Sequence, residues 1–100
     1  DVKHIDVIRR AVDYIRQNFS KKITLEEVSA HVYLSPSYFS KIFKEEMNCS
    51  FNTYLNRVRI EKSKTLLLSE KVRLVDVAGL VGFEDQSYFS ILLRSQEPKQ

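Results

Sequence analysis

The chain carries the same pattern twice, and this limits its fold more than any other feature. Ser37-Tyr38-Phe39-Ser40 recurs as Ser87-Tyr88-Phe89-Ser90, and Val28-Ser29-Ala30-His31-Val32 is echoed by Val77-Ala78-Gly79-Leu80-Val81. The offset is 49 residues in the upstream block and 50 in the downstream one, so the second copy has a turn one residue longer. A period of this length marks one supersecondary unit used twice.

Both copies carry helix-boundary signals. Thr24-Leu25-Glu26-Glu27 has the form of a capping box, with the Thr24 hydroxyl accepting from the Glu27 amide and the Glu27 side chain reaching back to the Thr24 amide. The short helix that follows turns Leu25, Val28 and Val32 to one face. After Tyr33-Leu34, Ser35 is an N-cap and Pro36 is pre-set for the first helical position. That next helix carries Phe39, Ile42 and Phe43 inward and Ser37, Ser40, Lys41 and Lys44 on another face. In the second copy Gly82 supplies the left-handed residue that ends a helix, Phe83 folds back onto it, and Asp85 is the N-cap. Two helices joined by so short a turn form a helix-turn-helix unit.

Two longer helices complete the pattern. Ile5, Ile8, Val12, Ile15 and Phe19 recur at helical spacing, with Arg9, Arg10, Asp13 and Arg16 on the wet side. From about Ser50 to Leu68 a second long helix buries Tyr54, Leu55, Val58, Leu66 and Leu67 and exposes Arg57, Arg59, Lys62 and Lys64, with Ser69-Glu70-Lys71 ending it. At 1.5 Å per residue it spans about 28 Å. The expected fold is all-α: a helix-turn-helix subdomain over residues 1–49, a linker helix over 50–69 and a second helix-turn-helix subdomain over 70–100. Each subdomain is expected to be a homeodomain-like three-helix unit. With two glycines and two prolines, the chain suits neither a turn-rich β-sandwich nor a disordered segment.

The composition narrows function by exclusion. Cys49 is the single cysteine, so no internal disulfide forms, and His4 and His31 are too few to complete a zinc site with it. No metal or other cofactor is expected, and a reducing cytoplasm is the expected location. No apolar run approaches the roughly 18 residues of a membrane span, so no membrane partner is expected. A Gly-rich phosphate loop, an H-E-x-x-H motif and a G-x-S-x-G elbow are all missing, and the carboxylates are scattered. No catalytic residue is assigned and no enzyme is expected. The chain opens on Asp1 rather than Met, so a piece of a longer polypeptide with a further domain upstream is expected.

Net charge is +3, distributed as +1 over residues 1–35, +3 over 36–67 and −1 over 68–100. The basic surplus therefore sits in the middle, as a polyanion-binding surface would. A helix-turn-helix places its second helix in the DNA major groove. Two such helices held about one DNA turn apart, roughly 34 Å, could enter successive grooves on one face of the duplex. The connecting helix is of a suitable length, and a site read this way need not be palindromic.

The sequence resembles the DNA-binding domain of the AraC/XylS family of bacterial transcription regulators, from about Ile5 to Phe89. The resemblance is carried by Leu34 to Lys44 in the first unit, by Tyr54 to Ile60 with Leu66-Leu67 in the linker, and by Val77 to Phe83, Asp85 and Ser87-Tyr88-Phe89 in the second unit. It implies base contacts from Ser37, Ser40 and Lys41, with Lys44 near phosphate. In the second unit it implies base contacts from Gln86, Ser87, Ser90 and the Ile91 position. It further implies a transcription activator that contacts RNA polymerase and carries a sensor or receiver domain on its N-terminal side.

Other residues keep two readings. Tyr38 and Tyr88 either touch the DNA backbone or lie partly buried with a wet hydroxyl. Arg57 and Arg59 are expected on phosphates or paired with acids such as Glu61, and Arg94 is placed with the backbone contacts. Gly79, inside a helix, costs roughly 1 kcal/mol relative to alanine and reflects either close packing or simple tolerance.

The chain also departs from the family pattern. Ile91 stands where the first unit has Lys41, and an aliphatic side chain can neither donate to guanine nor neutralise phosphate. The family's closing turn and helix are replaced by Arg94-Ser95-Gln96-Glu97-Pro98-Lys99-Gln100. An under-packed second unit that binds DNA weakly or not at all is the expectation. The rival function is a protein-interaction module descended from a DNA binder, with Ile91-Leu92-Leu93 as a contact surface.

Overall fold

Apolar positions at three- and four-residue steps fold into six α-helices in the computed structural model, which describes residues 2–69 and 71–96. They are α1 (Val2–Asn18), α2 (Leu25–His31), α3 (Pro36–Met47), α4 (Phe51–Leu67), α5 (Leu74–Leu80) and α6 (Gln86–Ser95). No strand occurs among the described residues. Glu70 and the stretch Glu97 to Gln100, where the linker's end and the altered tail were expected, lie outside the described residues.

The caps explain where the helices begin. Ser35 accepts from the Tyr38 amide at 3.3 Å with Pro36 just inside the helix, and Ser50 accepts from the Thr53 amide at 3.1 Å. Asp85 accepts from the Ser87 and Tyr88 amides at 2.8 and 3.3 Å. Each such cap contributes about 1 kcal/mol. Thr24 accepts from the Glu27 amide at 3.1 Å, but the expected return arm is diverted: the Glu27 carboxylate takes the Tyr14 hydroxyl of α1. Half of the capping box thus becomes a tertiary tie.

α2 and α5 end alike. After α2, Leu34 N–H donates to Ser29 O at 2.9 Å and Tyr33 N–H to Ala30 O at 3.0 Å. After α5, Phe83 N–H donates to Ala78 O at 2.9 Å and Gly82 N–H to Gly79 O at 3.1 Å. This is the Schellman pattern, with a left-handed residue satisfying otherwise orphaned carbonyls. Residues 32–35 then lead into α3 and residues 81–85 into α6, so the extra residue falls in the second turn as the offset requires.

Two apolar cores form along one shared helix. The first gathers Ile8, Ala11, Ile15, Val28, Val32, Phe39, Ile42 and Phe43 against Phe51, Tyr54, Leu55 and Val58 of α4. The second gathers Val77, Ala78, Val81, Phe83 and Phe89 against Ile60, with Leu66, Leu67, Leu92 and Leu93 partly buried around it. α4 follows α1 by 49 residues at both ends and packs on α5 and α6 as α1 packs on α2 and α3. The linker is therefore also the scaffold helix of the second unit.

One expectation about packing changes. Ile5 is 49% exposed, at the rim of a shallow groove with Val12 and Met47, while Ala11 takes the buried place on α1. The second core holds six buried residues against thirteen in the first among the described residues, and Leu74, Val75 and Leu80 stay exposed beside it.

Candidate nucleic-acid interface

α3 turns Phe39, Ile42 and Phe43 into the core, which forces the positions between them outward. Ser37, Ser40, Lys41 and Lys44 are exposed at three- and four-residue steps and so share one face. No ion pair engages Lys41 or Lys44 among the described residues, so both charges face solvent. Phe89 anchors α6 in the same way and leaves Gln86, Ser87, Ser90, Ile91 and Arg94 exposed along one face.

The two faces match in register and differ in charge. Lys41 and Lys44 give the first two cations, whereas the second has Arg94 alone and Ile91, 65% exposed, in place of Lys41. The N-terminus of α3 is capped by neutral Ser35, while that of α6 is capped by the carboxylate of Asp85, with Glu84 next to it. An anion there offsets the positive helix end that would otherwise attract phosphate. The apolar run expected at Ile91-Leu92-Leu93 divides: Leu92 and Leu93 pack on the second core and only Ile91 is presented.

The tyrosines of the repeated tetrapeptide are each tied to a scaffold helix. The Tyr38 hydroxyl lies 2.6 Å from His4 Nε2 of α1, and the Tyr88 hydroxyl accepts from the Asn56 side chain of α4 at 3.2 Å. Both residues stay partly exposed, at 42% and 45%, although each hydroxyl is held.

Arginines that look alike in sequence separate in space. Arg57 is exposed on α4 beside Thr53, Asn56 and Tyr88. Arg59, expected on the DNA backbone, turns inward instead: its Nε donates to Phe19 O at 2.8 Å and its Nη2 to Lys21 O at 2.9 Å. Burial pushes its pKa down from the usual arginine value, with Glu84 acting in the opposite direction. Glu61, considered as a partner for Arg57 and Arg59, pairs with Arg16 of α1 at 3.4 Å. Arg16 also donates to the Tyr54 hydroxyl at 3.0 Å, and this bond is the main cause of its raised pKa. Sequence reasoning missed His4, Asn56 and the Phe19 and Lys21 carbonyls as partners.

A helix-turn-helix domain family model matches residues 28–97. The chain belongs to the AraC-type helix-turn-helix family. The regulatory protein PocR of Salmonella typhimurium is 37% identical over 91 residues, which are 91% of this chain and 30% of that protein. The chain spans about 30% of the length of PocR and of two further curated relatives, the regulator YijO of Escherichia coli and the lactose operon transcription activator of Staphylococcus xylosus. Among solved structures, the C-terminal domain of AraT, a response regulator from Geobacillus stearothermophilus, superposes with a TM-score of 0.82 at 38% identity. That likeness covers 89% of this chain and 74% of the other. The DNA-binding domain of AdpA, solved in complex with a target DNA, shares the fold with a TM-score of 0.84 at 19% identity, over 93% of this chain and 84% of that one. In this AraC-type domain α3 and α6 are the second helices of the two helix-turn-helix units, and α4 is common to both.

Proposed function

We propose that this domain binds double-stranded DNA sequence-specifically as the output domain of a bacterial transcription regulator, with α3 and α6 entering successive major grooves on one face of the duplex. The observation that carries this reading is the pair of exposed helix faces, matched in register and mounted on one shared helix. The molecule is 43 Å long, enough to span one DNA turn of about 34 Å.

Ser37, Ser40 and Lys41 contact bases, and Lys44 and Arg57 neutralise phosphates. Gln86, Ser87 and Ser90 contact bases from α6, with Arg94 at the backbone. Tyr38 and Tyr88 stand partly exposed beside these groups. The second unit contributes less, because Ile91 cannot donate and Asp85 and Glu84 oppose phosphate at the start of α6. The domain acts by binding and performs no catalytic step. In the full protein it works in the cytoplasm as a transcription activator, takes its signal from an N-terminal sensor or receiver domain and contacts RNA polymerase. The names and lengths of its relatives support the activator role and the further domain.

A second reading, a partner-docking module, is favoured by one observation: Leu74, Leu80 and Ile91 are each more than half exposed on the second unit. Selection of bound duplexes from a random pool at near-physiological salt separates the two. Enrichment of a defined sequence supports DNA reading. Binding without enrichment, or no binding, overturns it in favour of docking.

A further inference from the structure

Arg59 stands where the two units meet. The Phe19 and Lys21 carbonyls that it binds belong to the segment just after α1, in the first unit. On the other side its guanidinium lies 5.7 Å from the centre of the Phe83 ring, in the turn between α5 and α6. Gly82 completes the contact: at φ +100°, a Cβ there would fall 2.6 Å from Phe19 O and 2.9 Å from Arg59 Nε. The Lys22–Glu84 pair at 3.9 Å borders the same junction, but both side chains are about four-fifths exposed, and such pairs contribute little. Arg59 thus fastens the turn that precedes α6 to the first unit, beside the Phe19 side chain, which packs against both cores. The second core alone is small, so this fastening bears directly on where α6 sits.

We propose that Arg59 is a positioning residue for DNA reading: by bridging the first unit's carbonyls and the second unit's turn, it holds α6 at a fixed distance and angle from α3 and so sets the spacing of base blocks that the domain accepts. This rests on the reading that both helices enter DNA. Arginine suits the task because its planar fork can donate to two carbonyls while its face lies on an aromatic ring. Lysine, a point charge without that fork, does not reproduce it.

Two measurements test the role. In the first, spin labels are placed at the exposed Glu45 of α3 and Ser95 of α6 through E45C and S95C, with C49S removing the native thiol, and the distance distribution is recorded without DNA. A narrow distribution is expected, broadened in Arg59→Ala and in Gly82→Ala, which displaces the same contact from the other side. Arg59→Lys should broaden it as well. A distribution that stays narrow in folded Arg59→Ala overturns the proposal.

In the second, affinity is measured for selected duplexes whose two base blocks are moved apart by one or two base pairs, and for a duplex with the first block alone. The parent should lose on the order of 10²-fold when the spacing changes, because simultaneous engagement is lost. Arg59→Ala should have lost most of that factor at the parent spacing, respond little to spacing and keep its affinity for the first block alone. An equal loss on one-block and two-block duplexes would mean a phosphate contact or general destabilisation and would overturn the proposal. A parent indifferent to the second block would overturn the two-reader reading itself, a result visible in the parent series alone.

Discussion

Tyr33 holds, in the first unit, the left-handed backbone position that Gly82 holds in the second, with φ of 62° against 100°. Both residues serve the same helix-ending hydrogen bonds, yet their surroundings differ. The Tyr33 side chain is 87% exposed and gains little from packing, whereas Gly82 is pressed against Phe19 O and Arg59. The left-handed conformation costs a side-chain-bearing residue about 1–2 kcal/mol, partly offset by the extra chain entropy that glycine loses. Tyr33→Gly should therefore stabilise the domain by about 0.5–1 kcal/mol, and Gly82→Ala should destabilise it by more than about 1 kcal/mol. Urea unfolding of the two variants checks the contrast, and shifts of equal sign would contradict it.

Gly79 behaves differently from Gly82. It lies within α5, and a Cβ built there meets nothing within 4 Å, so tolerance rather than close packing explains it. Gly79→Ala should raise stability by about 0.5–1 kcal/mol through helix propensity alone. A loss in thermal or urea unfolding would show that the open space is filled in solution.

On DNA, the two exposed lysines of α3 should separate by role. Lys41→Ala should cost about 1–3 kcal/mol at one base position and relax specificity there. Lys44→Ala should weaken binding almost uniformly across sequences and reduce the salt slope by about 1. Ile91→Arg, which restores to α6 the charge that Lys41 gives α3, should strengthen binding. Affinities measured over a salt series decide all three; uniform weakening by Lys41→Ala would make that residue a phosphate contact.

The Tyr14–Glu27 tie gives a pH dependence of defined sign. The hydrogen bond to Glu27 holds the phenol proton, and burial and the carboxylate's charge add to it, raising the Tyr14 pKa above 10.0. A raised pKa in the folded state contributes stability that is fully present below the unfolded value and is lost as pH rises through the folded value. The α1–α2 contact should therefore persist at neutral pH and loosen only above about pH 10. Replacing Tyr14 with Phe should remove that alkaline component from the stability profile, as measured by denaturation at stepped pH. An unchanged profile would show that the tie is absent in solution.

What the sequence disclosed was local. Ser35-Pro36, Gly82 with Phe83, and Asp85 each mark a boundary through chemistry acting within a few residues, and all are found where expected. Both exposed faces were legible because Phe39 and Phe89 fix which side of each helix is dry. What stayed hidden depends on partners distant along the chain. Periodicity placed Arg59 on the basic side of α4, but α4 has a unit against each of its ends, and only the folded chain brings Phe19 and Lys21 to that side. Ile5 proved exposed and Ala11 buried because three- and four-residue spacing gives a face but not its edges. The left-handed Tyr33 had no signal, since tyrosine is not a residue that favours such a turn.

Hydroxyl-radical footprinting of the domain on a duplex from the selected pool tests the central claim most directly. Two protected patches about 10 base pairs apart on one face, the second weaker, are predicted if α3 and α6 enter successive major grooves. A single short patch, unchanged by Gln86→Ala or Ser90→Ala, would contradict it and leave α3 as the sole reader.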